Sequence, residues 1–91
     1  MTKSPLWARI DGERVASSIQ EAAAQLDTAA GEAALDFSAV RRIDTAGLRA
    51  LDRLATDAAA QSVRVSLCGV PVDVYKVLKL VKLTSRFSFD L

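Results

Sequence analysis

Three times along this chain a short apolar run gives way to a stretch with helical periodicity. That alternation limits the fold more than any other feature. The runs are L-W-A-R-I at 6–10, A-A-L-D-F at 33–37 and V-R-V-S-L-C at 63–68. The last alternates with period two in its first half, as a half-buried strand does. Helical stretches follow at 18–30, from Thr45 to Gln61 and from Pro71 to Leu83. Elements interleaved at this spacing pack as α/β layers over a partly parallel sheet. The expectation from spacing alone is an α/β sandwich.

Local signals refine that outline. D-G-E at 11–13 reads as a hairpin turn, with Arg14–Ser17 as a short returning strand. S-I-Q-E at 18–21 matches a capping box, Ser18 opening a helix and Glu21 reaching back. Ile19, Ala22, Ala23, Leu26 and Ala30 share one face of that helix, and Gly31 can terminate it. In the second helix Leu48, Leu51, Ala55 and Ala58 line the apolar side, largely opposite Arg49, Asp52, Arg53 and Asp57. Pro71 suits the first turn of the third helix, whose inner face is Val74, Val77, Leu78 and Val81. The tail T-S-R-F-S-F-D-L ends in a turn and a short edge strand. Trp7 and Tyr75 are lone aromatics, read as core or rim packing.

Composition narrows the function classes. A chain of 91 residues suits one domain, here 1–91. At 51% hydrophobic and 25% charged residues it has a globular balance rather than a disordered one. Lys+Arg 12 against Asp+Glu 11 lacks the basic excess of a nucleic-acid binder. The charges are nonetheless segregated. Residues 11–36 are mostly acidic and 64–86 mostly basic, which reads as two solvated faces of opposite sign. The sharper reading is a basic surface, including Lys76, Lys79 and Lys82, for an acidic partner or an anionic lipid headgroup.

The single cysteine, Cys68, cannot form an internal disulfide and reads as a small buried hydrophobe. Histidine is absent, which removes His-based triads and most zinc chemistry. There is no G-x-x-x-x-G-K-[ST], G-x-G-x-x-G or G-x-S-x-G, and no metal-ligand spacing. No catalytic residue, metal or cofactor is therefore expected. With no apolar signal core and no run long enough to cross a bilayer, the expected location is cytoplasmic, without membrane insertion.

One short stretch remains, I-D-T-A-G-L at 43–48. Asp44 is a favoured N-cap, its carboxylate accepting from the amide of Ala46 or Gly47 and facing the positive end of the helix dipole. Gly47 is harder to account for, since glycine in a first turn costs roughly 1 kcal/mol against alanine. A bare backbone that another molecule approaches closely is one return on that cost.

The run L-D-F-S-A-V-R-R-I-D-T-A-G-L resembles the signature of STAS domains, the sulfate-transporter and anti-sigma-factor-antagonist family. That signature is an apolar strand ending D-[LF]-S, a short apolar link, then D-[ST]-x-G-L opening a helix. The strand V-R-V-S-L-C-G-V and the helix V-Y-K-V-L-K-L-V-K-L also sit where the family places them, so the likeness covers residues 33–89. The resemblance implies a STAS-like fold, an α/β arrangement with a mixed central sheet of about four to five strands and three to four helices packed against it, and a non-catalytic binding module. It also implies docking on a serine kinase or anti-sigma factor through Asp44, Thr45, Ala46, Gly47, Leu48 and Arg49. In such antagonists the phosphoacceptor usually precedes the glycine directly. Here that position is Ala46, and Thr45 is the candidate acceptor, one residue earlier. The D-T-x-G-L form is also similar to the small STAS subunit of bacterial phospholipid-trafficking ABC transporters, where the threonine belongs to the surface that docks on the ATPase. A weak homodimer is compatible with either reading.

Overall fold

The structure, a computed structural model, describes residues 5–90. Its elements are β1 (Leu6–Arg9), α1 (Val15–Ala24), β2 (Glu32–Asp36), α2 (Thr45–Ala60), β3 (Arg64–Cys68), α3 (Val72–Leu80) and β4 (Ser88–Asp90), with 3-10 turns at Leu26–Thr28 and Thr84–Arg86. The α/β class follows the expectation. The sheet is simpler than a mixed one: its described strands lie in the order β1-β2-β3-β4, and every pair is parallel.

That topology dictates the layering. Crossovers between parallel strands are right-handed as a rule, so consecutive crossovers in one direction put their helices on one face. Leu35, Val65 and Leu67 point to that face and are buried, together with Ile19, Leu51, Leu54, Val74 and Leu78 from the helices. The other face carries Trp7, Ala34, Ser66 and Ser88 in one row and Arg9, Asp36 and Cys68 in the next. No helix covers it. Trp7 is therefore 63% exposed rather than packed in a core, and Cys68 is half-buried rather than buried.

Residues 14–17 are not a strand. The apolar positions Val15, Ile19, Ala22 and Leu26 follow helical spacing, and α1 begins at Val15 to use it. The D-G-E segment is a tight turn into that helix: the Asp11 carboxylate accepts from the Glu13 amide at 2.9 Å, and the Arg14 amide donates to the Asp11 carbonyl at 3.1 Å. Ser18 is consequently inside the first turn and does not form a capping box; its Oγ accepts from the Asp11 amide at 3.1 Å. α1 stops at Ala24, before Gly31, and the 3-10 turn that follows buries Ala29 rather than Ala30.

Helix ends α2 and α3 share one device. The Val63 amide reaches back to the Ala58 carbonyl at 2.8 Å and the Ser62 amide to Ala59 at 3.2 Å. After α3, Leu83 reaches Leu78 at 2.9 Å and Lys82 reaches Lys79 at 3.1 Å. These are Schellman closures, which need a left-handed residue after the cap and a buried apolar residue beyond it. Ser62 (φ 56°) and Lys82 (φ 61°) fill the first role, Val63 and Leu83 the second. Pro71 is the N-cap of α3 rather than a first-turn residue; Val77 is half-buried and Val81 exposed. The tail forms the expected turn and edge strand, with Tyr75 packing edge-to-face on Phe89 at 5.2 Å. Leu91 lies outside the described residues.

Candidate functional site

All three helices start at the carboxyl ends of their preceding strands, so their N-termini gather at one end of the sheet. The link from β2 to α2 is the longest there and is held from several sides. The Asp36 carboxylate accepts from the Ser38 amide at 2.9 Å. That bond, the Ser38 hydroxyl and, more weakly, the Arg9 charge hold the Asp36 carboxyl below its ordinary range against the opposing effect of burial. The Phe37 amide donates to the Cys68 carbonyl at 2.8 Å, and Phe37 and Val40 are buried. Gly12 of the β1–α1 turn lies directly under the Ala39 carbonyl, where an added Cβ would come within 2.0 Å of the oxygen.

The link delivers Asp44 in an extended conformation (φ −96°, ψ −177°) as the N-cap of α2. Its Oδ1 accepts from the Gly47 amide at 2.8 Å, and its carbonyl accepts from the Leu48 amide at 2.9 Å. Thr45 and Ala46, the first two helical residues, are exposed, as is Arg49 one turn on. Gly47 is placed otherwise than the bare-backbone reading supposed, whereas Leu48 keeps its expected place on the apolar side. Gly47 is buried: a Cβ there would stand 2.8 Å from Ile43 Cγ1 and 3.3 Å from Val15 Cγ1. Its small size serves the close seating of α2 on the link and on α1, rather than offering bare backbone to a visitor. Leu48 is half-buried and packs on the core. Of the six motif residues, Asp44, Thr45, Ala46 and Arg49 are exposed.

Beside them α1 and α2 leave an open groove of about 680 Å³, lined by Gln20, Ala23, Ala24, Ala46, Arg49, Ala50 and Arg53. Methyl groups floor it and two arginines one turn apart stand over it. Neither arginine forms an ion pair among the described residues; Asp52 pairs instead with Arg86, which also donates to the Thr56 hydroxyl at 3.0 Å. The contribution of Gln20, Ala23 and Ala24 was not legible in the sequence, because only packing brings α1 alongside this part of α2. Among the described residues no group of three or more Cys, Asp or Glu side chains is placed to hold a metal ion, and no helix is long and apolar enough to cross a membrane.

Comparison with curated protein sequences returns no match. Among solved structures, a Thermotoga maritima protein provisionally named an anti-sigma factor antagonist superposes with a TM-score of 0.72 at 18% identity, over 100% of this chain and 76% of that one. Identity that low carries the fold and nothing finer. The sequence pattern of STAS domains, however, matches residues 2–91, reaching well before the 33–89 stretch that carries the signature. With the layered fold and the ordered D-F-S and D-T-x-G-L segments on either side of the β2–α2 link, this match shows that the chain belongs to the STAS domain family.

Proposed function

We propose that this STAS domain is a non-catalytic regulatory module that binds a partner protein through the start of α2, in the manner of an anti-sigma-factor antagonist. The observation that carries the reading is the pairing of a rigid base with an open top. Asp44 caps the helix and Gly47 is wedged below it, while Thr45, Ala46 and Arg49 face outward beside the groove. A helix start held this firmly presents its side chains with little ordering left to lose on binding. The partner is a kinase or anti-sigma factor, and Thr45 is the residue on which it acts. A phosphate there adds roughly −1.5 to −2 charges to a contact otherwise made by a hydroxyl and a methyl group. The helix N-terminus stabilises that charge, whereas the neighbouring Asp44 carboxylate opposes it.

The test is incubation with the cognate kinase and ATP, followed by intact-mass measurement. One phosphate on the native chain and none on Thr45→Ala is expected; an unmodified native chain beside an active kinase removes the switch. A second reading is favoured by the D-T-x-G-L form, with Ala46 at the usual acceptor position. In it the same surface docks on the ATPase of a bacterial phospholipid-transport ABC transporter. Co-purification with that ATPase, lost in Thr45→Arg without loss of fold, is its expected result. Retained binding in that variant rejects the docking surface.

A further inference from the structure

Among the described residues five large hydrophobic side chains are exposed, and four of them stand on α3 and its cap: Val72, Tyr75, Leu80 and Val81. Val72 is 68% exposed and Leu80 81%, so most of each residue is in water. Two of them, Val72 and Leu80, share one side of the helix. Val74 and Leu78 define the buried side of α3. Val72, Lys76 and Leu80 follow each other at four-residue steps along the opposite side, with Lys79 adjoining Lys76 and Leu80. Lys82 follows just past the helix end, held in its left-handed conformation. None of the three lysines forms an ion pair among the described residues. Asp73 is the one acidic residue of α3, and it sits in the first turn where the helix dipole offsets its charge.

We infer that the outer face of α3 binds peripherally to an anionic lipid bilayer. Val72 and Leu80 enter the headgroup boundary and Lys76, Lys79 and Lys82 contact lipid phosphates. The geometry favours a lipid surface over an acidic protein on two counts. The face is a convex ridge with aliphatic groups at both ends, about 12 Å apart at 1.5 Å per residue, and such a ridge can settle into a soft, flat surface without a matching groove. The cations are all lysines, compact charges on flexible stems that follow a diffuse field. A site built for carboxylates favours the planar fork of arginine. This inference is independent of the reading of α2, which uses another surface.

The test is sedimentation of the full chain with vesicles of phosphatidylglycerol and phosphatidylcholine, against phosphatidylcholine alone, at low salt. Binding to the anionic vesicles only, released at high salt, is expected. Lys76→Gln with Lys79→Gln should weaken it about 25-fold, at about fivefold per lysine. Leu80→Ser should weaken it about fivefold to tenfold while the fold, read by circular dichroism, is unchanged. Failure to sediment overturns the inference, as does binding indifferent to both substitutions. A chain that ignores vesicles but binds poly-glutamate through the same lysines assigns the face to an acidic protein, and likewise overturns it.

Discussion

The amide of Gly47 donates to the carboxylate of Asp44 at 2.8 Å, and the same glycine is pressed between Ile43 and Val15. Two residues of the signature are thus accounted for by how α2 is started and seated. Removing the cap leaves an amide of the first turn without its acceptor. Asp44→Ala should cost about 1 kcal/mol, which lowers the melting temperature by about 4–8 °C in a domain this size. Asp44→Ser should recover most of it, since the serine hydroxyl also accepts. Calorimetric melting of the three proteins checks this.

The tolerance of the glycines should follow what each would strike. In Gly47→Ala the new methyl group meets side chains, so crowding of about 1–3 kcal/mol competes with a helix-propensity gain of about 1 kcal/mol. A net loss of about 1 kcal/mol is expected, with favourable coupling to Ile43→Ala in a double-mutant cycle. In Gly12→Ala the methyl meets the Ala39 carbonyl, a backbone atom that cannot rotate aside. That variant should lose roughly 3 kcal/mol or more. Urea denaturation that ranks Gly47→Ala below Gly12→Ala in stability contradicts this account of the link.

Ser62 closes α2 from a left-handed conformation in which its Cβ is crowded. Glycine relieves that crowding but loses more chain entropy on folding. The balance favours Ser62→Gly by about 0.5 kcal/mol, seen as a rise of a few degrees in melting temperature. Lys82→Gly should behave alike in melting and yet bind anionic vesicles less well, separating the fold from the surface.

Acid should act through Asp36. Its folded carboxyl titrates below the ordinary value of 3.8, chiefly because the Ser38 amide donates to the charged form. A depressed folded value means the stabilisation is complete above about 3.8 and lost as pH falls through the lower folded value. Asp36→Asn should therefore flatten the acid limb of the stability–pH curve, leaving the neutral limb displaced by a constant amount. An unchanged acid limb contradicts the assignment to this residue.

Arg49 and Arg53 are exposed on α2 and unpaired among the described residues, so Arg49→Ala and Arg53→Ala should leave stability within about 0.5 kcal/mol. If the start of α2 is the docking surface, each should weaken partner binding, and more so at low salt. Titration calorimetry against the partner at two ionic strengths reads both effects.

Much of this chain could be read residue by residue. The three apolar runs became β1, β2 and β3, the Asp44 cap opens α2, and D-F-S and D-T-x-G-L lie where the STAS resemblance implies. These are local signals: period, capping chemistry and short motifs depend on neighbours within a turn or two. What the tertiary structure decided depends on distant neighbours. Arg14–Ser17 has no strand because β2, further along the chain, takes the place beside β1 and leaves Val15 to pack in a helix. Gly47 looked like a surface and proved to be a joint, since Ile43 and Val15 meet only when α1 and α2 are seated together. The three lysines at 76, 79 and 82 gave no hint of standing among bare aliphatic groups. The helical period already turned Val74 and Leu78 inward; only the fold leaves Val72 and Leu80 uncovered by any other element among the described residues. A sequence specifies which residues can form an element, and the neighbours across the core specify which side of it remains for other molecules.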